Sequence, residues 1–153
     1  MFRGTFEHAI DAKGRTSLPA KFREVLTAKY GGEAQTVVVT PSPFDPCLRA
    51  YPMTEWAALE EKLAARGSAF DPNVASLLRL FVGGAQETTV DKLGRLLLAP
   101  TLREHAQLAK DVSFVGALKF VEIWDSERFR AWKREQSEQG REALARALGD
   151  LGL

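Results

Sequence analysis

The sequence predicts an α+β chain built from two copies of one strand–turn–strand–helix unit. Three observations carry that expectation. First, the run Asp11-Ala12-Lys13-Gly14-Arg15-Thr16-Ser17-Leu18-Pro19-Ala20-Lys21-Phe22-Arg23-Glu24 returns without a gap as Asp91-Lys92-Leu93-Gly94-Arg95-Leu96-Leu97-Leu98-Ala99-Pro100-Thr101-Leu102-Arg103-Glu104. Second, each run is preceded by a β-type segment and closed by a proline that suits the first turn of a helix. Third, each is followed by two more β-type segments and a helical one. Self-similarity of this kind marks a repeat architecture. At 153 residues, two such units can close one core or two small, closely packed ones.

The elements follow in order. Thr5 to Ile10 reads as a strand, and Gln86 to Val90 as its counterpart. Asp11 and Asp91, each with a glycine three residues on, mark type I turns. Gly14 and Gly94 fit the left-handed position of a hairpin tip with a bulge. The carboxylates of Asp11 and Asp91 can accept from N–H groups inside the turn. Arg15 to Leu18 and Arg95 to Leu98 read as the return strands, with helices over Ala20 to Lys29 and Thr101 to Gln107.

Gly31-Gly32 breaks the first copy before the β-branched strand Thr36 to Thr40. A proline-rich loop leads to a strand over Cys47 to Tyr51 and a helix over Thr54 to Arg66, which turns Trp56, Leu59 and Leu63 inward. Gly67-Ser68 ends that helix. Asp71 then caps a bridging helix with Pro72 at its first position. Its stripe Val74, Leu77, Leu78 and Phe81 is core, and Gly83-Gly84 terminates it.

In the second copy, Asp111 to Val115 answers Thr36 to Thr40, and Phe120 to Trp124 answers Cys47 to Tyr51. Trp124 thereby matches Tyr51, and Phe129 matches Trp56. Asp125 or Ser126 caps the helix carrying Phe129 and Trp132. After Gly140 a last helix, Glu142 to Leu151, places Leu144, Leu148 and Leu151 on one side. A helix that short needs a partner surface. The expected divisions are 1–70, 71–85, 86–139 and 140–153, all in one compact unit.

The arginine after each turn glycine is the candidate functional group. A solvated arginine paired with Asp11 or Asp91 is the plain alternative. Such a surface pair is worth too little to explain the same arginine at the same turn position twice, so the doubling favours function. Lys13, Lys21 and Arg23 accompany the first copy, and Lys92 and Arg103 the second.

The formal net charge is only +1, so binding to phosphate must come from local placement. Cys47 is the single cysteine, which excludes an intrachain disulfide and reads as a small buried residue in a reducing compartment. The first residues hold no apolar run of signal-peptide type, and no segment is long enough for a bilayer span. A cytoplasmic location follows. His8 and His105 have no second ligand at metal spacing. No phosphate loop or nucleophile elbow is present. No cofactor, metal or small-molecule ligand is expected, and no enzymatic activity.

The opening Met1-Phe2-Arg3-Gly4, the doubled Asp-x-x-Gly-Arg hairpin, Pro46-Cys47-Leu48, Tyr51-Pro52 with Glu55-Trp56, Val115-Gly116 and Glu122-Ile123-Trp124-Asp125 closely resemble the MraZ family. These are bacterial transcriptional regulators encoded at the head of the division and cell-wall gene cluster. The hairpin motif alone points only to the wider AbrB-like group. The resemblance, which runs the length of the chain, implies an AbrB-like double swapped-hairpin β-barrel with flanking and C-terminal helices. It implies a head-to-tail ring that binds direct repeats in double-stranded promoter DNA and represses its own operon, in the cytoplasm and on the nucleoid.

The hairpin arginine of the family faces DNA, which maps onto Arg15 and Arg95. Lys13 shares the first loop, with Arg3, Lys21 and Arg23 as auxiliaries. The second copy departs from the first: Leu93 stands for Lys13, Leu96 and Leu97 for Thr16 and Ser17, and the proline shifts by one. On that ground Arg15 ranks ahead of Arg95, and the second hairpin leans toward packing. The near-neutral charge keeps a protein-binding scaffold as the competing class.

Overall fold

The computed structural model describes residues 1–31, 35–66 and 70–153, with Arg66 described for its backbone alone. The expected breaks at Gly32 and at Gly67-Ser68 lie outside the described residues. In chain order the strands are β1 (Thr5–Ala9), β2 (Arg15–Ser17), β3 (Thr36–Pro41), β4 (Leu48–Pro52), β5 (Gln86–Thr89), β6 (Arg95–Leu97), β7 (Asp111–Gly116) and β8 (Val121–Asp125). The helices are α1 (Ala20–Val25), α2 (Met53–Arg66), α3 (Pro72–Leu77), α4 (Pro100–Ala106), α5 (Ser126–Gln139) and α6 (Arg141–Asp150).

Two of the helices depart from expectation. Both α1 and α3 end early as α-helix and continue as π-helical turns, over Leu26–Tyr30 and Leu78–Val82. The second stretch is closed by Gly83 N–H donating five residues back to Leu78 O at 2.8 Å. Asp71 does cap α3, its side chain accepting from Asn73 N–H, with Pro72 at the first position. Asp125 caps α5 in the same way, accepting from Arg128 N–H.

The strand pairing corrects the simple hairpin reading. β1 forms no ladder with β2, the strand it leads into; the two arms are joined by an Ile10–Thr16 bridge and by the Thr16 hydroxyl donating to Ala9 O at 2.9 Å. β1 runs antiparallel to β7 of the other copy, with Phe6 opposite Phe114 and His8 opposite Val112. Likewise β5 runs against β3, and β2 against β6. The physical reason is length. A three-residue return strand offers too little ladder to hold a hairpin alone, whereas β7 offers β1 a five-residue register.

The result is a six-stranded antiparallel sheet, β1-β7-β8-β4-β3-β5, and a separate two-stranded ribbon, β2-β6. Each copy's first strand lies on an edge of the sheet, where its turn leads into the ribbon. The two copies are therefore interleaved.

One face of the sheet supplies Val37, Val39, Leu48, Ala50, Val112, Phe114, Val121 and Ile123 to a core shared with Phe22 of α1, Leu102 of α4, and Leu18, Leu96 and Leu98 of the ribbon arms. Phe22 takes Phe2 and Phe6 edge-on, at 5.6 and 5.3 Å between ring centres. The other face carries the aromatics of the outer helices. Tyr51 lies 5.5 Å from Trp56 in the first copy, and Trp124 lies 5.4 Å from Phe129 in the second, so the matched pairs occupy matched places.

The third ring differs between copies. Phe81 of the bridging segment covers the first pair, and Trp132 of α5 stacks on the second. Cys47 is buried beside Trp124 and Phe129, and burial pushes its thiol pKa upward. Leu144 and Leu148 of α6, and Leu151 just past its end, are exposed.

Candidate nucleic-acid interface

Each turn is a closed local unit. Gly14 N–H donates to Asp11 O at 3.0 Å, and Asp11 N–H donates to Arg15 O at 2.9 Å. Asp11 Oδ1 accepts from the Lys13 and Arg15 N–H groups, both at 2.9 Å. The second turn repeats this, with Asp91 Oδ1 accepting from Leu93 and Arg95 N–H at 2.9 Å. Both carboxyl groups are held below their ordinary pKa, chiefly by the backbone N–H of Arg15 or Arg95.

The arginines do pair with these aspartates, Arg15 Nε at 3.1 Å from Asp11 Oδ2 and Arg95 Nε at 2.9 Å from Asp91 Oδ2. The pairing uses Nε, so the two Nη groups of each guanidinium still carry four N–H donors. The aspartate thus fixes the base of the fork and leaves its tip available. Arg15 and Arg95 are equally accessible, at 35% and 36% of the side chain. Each tip carries one further exposed lysine, Lys13 or Lys92.

The ribbon brings the two arginines onto one face. Arg15 sits opposite Leu97, and Ser17 opposite Arg95. Thr16 and Leu96 point the other way and are buried. The open face therefore presents Arg15, Ser17, Arg95 and Leu97. Arg15 and Arg95 stand diagonally, with roughly 8 Å between Cα atoms from a two-residue stagger and the ordinary strand spacing. A two-stranded ribbon of this kind fits the major groove of B-DNA.

The second hairpin, expected to serve mainly for packing, is buried only in part. Leu96 and Leu98 are buried, but Leu93 is 70% exposed and Leu97 57%. Leu97 shares the open face with Arg95, and Leu93 lies in the neighbouring turn.

The turn glycines have a second reason to be glycine, which only the crossing of the copies creates. Gly14 has φ +91° and Gly94 φ +78°. Leu18 N–H donates to Gly94 O and Leu98 N–H to Gly14 O, each at 2.8 Å. Arg103 lies across Gly14, donating from Nε to Leu98 O at 3.0 Å, and Arg23 lies across Gly94. A Cβ on Gly14 would stand 2.6 Å from Leu98 O and 2.7 Å from Arg103 Nε.

Arg23 is consequently not a free helix cation. It is half-buried against the opposite tip, with its Nε enclosed and without a hydrogen bond. Its match with Arg103 in the repeat was the available signal. Only the crossing shows that the pair locks the tips.

Arg3 and Lys21 also fall outside the tip group. Arg3 precedes β1, eight residues from Asp11, which places it roughly 25 Å away along extended chain. It lines a groove with Lys21, Met1, Phe6, Phe22 and Val25. The structure therefore brings Arg15, Arg95, Lys13 and Lys92 to the ribbon and its tips, and Arg3 with Lys21 to another place. His8 is half-buried, 6.0 Å from the ring of Phe114, and His105 is exposed on α4.

The chain matches the family model of the MraZ protein twice, over residues 1–80 and 81–151. It is 38% identical over 154 residues to the transcriptional regulator MraZ of Acetivibrio thermocellus, covering 100% of both chains. The same protein of Desulfitobacterium hafniense is 40% identical over 153 residues, and that of Serratia proteamaculans 40% over 158, again with both chains fully covered. With the family model matched across both copies and full-length relatives at this identity, the chain belongs to the MraZ family.

Proposed function

We propose that this chain is a sequence-specific DNA-binding transcriptional regulator and not an enzyme. In this reading it works in the cytoplasm on the nucleoid. It represses its own division and cell-wall operon by binding direct repeats in the promoter as a closed ring. The relatives are named transcriptional regulators, which supports the DNA-binding role.

The observation that carries the reading is the ribbon face: two guanidinium groups on one open β-ribbon, each steadied by its own aspartate. We read the sheet and ribbon together as the swapped-hairpin barrel of the AbrB-like group, closed where the turns join them.

The mechanism follows from the chemistry of those groups. The planar guanidinium contacts a phosphate or spans the N7 and O6 acceptors of guanine. Lys13 and Lys92 flank it and contribute charge. A single tip neutralises few phosphates, so one protomer grips weakly. Identical protomers in a cyclic row meet identical sites along one duplex, and each bound ribbon raises the effective concentration of the next. A row of this kind suits direct repeats, where a two-fold dimer suits palindromes.

The test is gel retardation of the DNA upstream of the chain's own gene against a scrambled duplex at matched salt. Arg15→Ala should abolish the specific shift and leave circular dichroism and oligomer mass unchanged. Retained operator affinity in that variant overturns the assignment. No retardation of either duplex by the unaltered protein would favour the scaffold reading.

A further inference from the structure

The two halves of the ribbon are alike in everything that holds them. Both turns have the aspartate clamp, the left-handed glycine, the paired arginine and the crossing arginine from the opposite helix. They differ in what they show to solvent. The end of the ribbon that carries Arg15 shows Lys13 and, across from the arginine, Leu97, 57% exposed. The end that carries Arg95 shows Leu93, 70% exposed, and, across from the arginine, Ser17.

A lone exposed leucine is ordinary on a protein surface. These two replace a lysine and a serine at matched positions of the repeat, and the pairing of the ribbon sets Leu97 beside Arg15. Ser17 and Leu97 both lie on the open ribbon face, each across from the other copy's arginine.

We propose that the ribbon reads DNA directionally, with Leu97 packing on a thymine methyl group in the half of the site that Arg15 enters. This rests on the DNA-binding reading above. In the major groove a methyl group distinguishes thymine from cytosine, and an apolar side chain is what recognises it. Ser17 takes the mirror position in the other half-site, where its hydroxyl can donate to or accept from any base edge. A ribbon with two equal arginines alone would read a near-palindrome. A leucine across from one arginine and a serine across from the other make the preferred site asymmetric within each protomer, so a row of protomers in one orientation selects repeats in one orientation.

The experiment selects bound sequences from a random duplex pool with the full chain, then replaces each thymine of the consensus by deoxyuridine, one at a time. Deoxyuridine removes the methyl and nothing else. The expected result is an asymmetric consensus with one thymine whose methyl loss weakens binding about fourfold, the worth of one buried methyl. That sensitivity should vanish in Leu97→Ser, and Ser17→Leu should create a new one at the mirror position. Both variants should keep the circular dichroism of the unaltered chain.

Three results overturn the proposal. A palindromic consensus would do so, as would binding indifferent to every thymine methyl. A Leu97→Ser variant whose oligomer mass falls while its methyl sensitivity persists would assign the leucines to a protein contact. Absence of any selected sequence is a separate outcome, since it refutes the DNA reading on which the inference stands.

Discussion

Replacing the two turn glycines by alanine should destabilise the protein unequally, and the inequality tests how the copies lock together. Both residues have positive φ, +91° at Gly14 and +78° at Gly94. Alanine in that region costs about 1–2 kcal/mol. At Gly14 the added Cβ also meets a backbone atom, Leu98 O at 2.6 Å, together with the anchored Arg103 Nε at 2.7 Å. Backbone cannot step aside, so about 1–3 kcal/mol of overpacking adds to the dihedral cost.

At Gly94 the three atoms nearest the Cβ all belong to the Arg23 side chain, with Cζ at 2.7 Å and Cδ at 2.9 Å. Arg23 can swing away, and its enclosed Nε has no hydrogen bond to lose. Gly14→Ala should therefore cost about 2–5 kcal/mol, and Gly94→Ala less.

The decisive arm is a double-mutant cycle in urea. Arg23→Ala should recover part of the Gly94→Ala loss, with a coupling of about 0.5–3 kcal/mol as expected for residues in contact. Arg103→Ala should recover little of the Gly14→Ala loss, because Leu98 O remains. Equal losses at both glycines, or additive behaviour of Gly94 with Arg23, would refute the crossed-arginine account.

Three further outcomes are expected. Because Asp11 and Asp91 titrate below their ordinary value of 3.8 in the folded chain, they stabilise it above that pH, and the contribution disappears as pH falls below it. The thermal midpoint of the Asp11→Asn, Asp91→Asn double variant should therefore fall less steeply below about pH 4 than that of the unaltered chain. Trp124 is 2% exposed and Trp132 37%, so Trp124→Ala should cost about 3–5 kcal/mol in denaturant and Trp132→Ala distinctly less. Cys47, fully buried with its thiol pKa raised, should resist a soluble thiol reagent in the native chain and react on unfolding.

The elements were largely legible in the sequence because their signals are local. Asp71 with Pro72, Asp125 ahead of α5, and the Asp-x-x-Gly turns each place a donor and its acceptor within a few residues. The register between copies was readable for the same reason, and Trp124 and Phe129 stand where Tyr51 and Trp56 predict. The π-helical ends of α1 and α3 were not legible, since no residue type announces a bond that reaches five residues back.

The candidate site was half legible. Doubling singled out Arg15 and Arg95. Charge and proximity in sequence grouped Arg3, Lys21 and Arg23 with them, and the structure places Arg3 and Lys21 along another groove and Arg23 across the opposite turn. Arg3 is carried off by the length of β1, and Arg23 is taken by the opposite turn. Leu93 and Leu97 looked like packing residues because their neighbours Leu96 and Leu98 are.

What the sequence determined by itself is the turn: aspartate, glycine and arginine at fixed spacing make a clamp whose bonds never leave five residues. What the tertiary structure alone decided is which strands pair. β2 and β6 are too short to satisfy their own hairpins, so each takes its ladder from the other copy. That exchange sets both arginines on one face and closes each turn beneath the other copy's helix arginine.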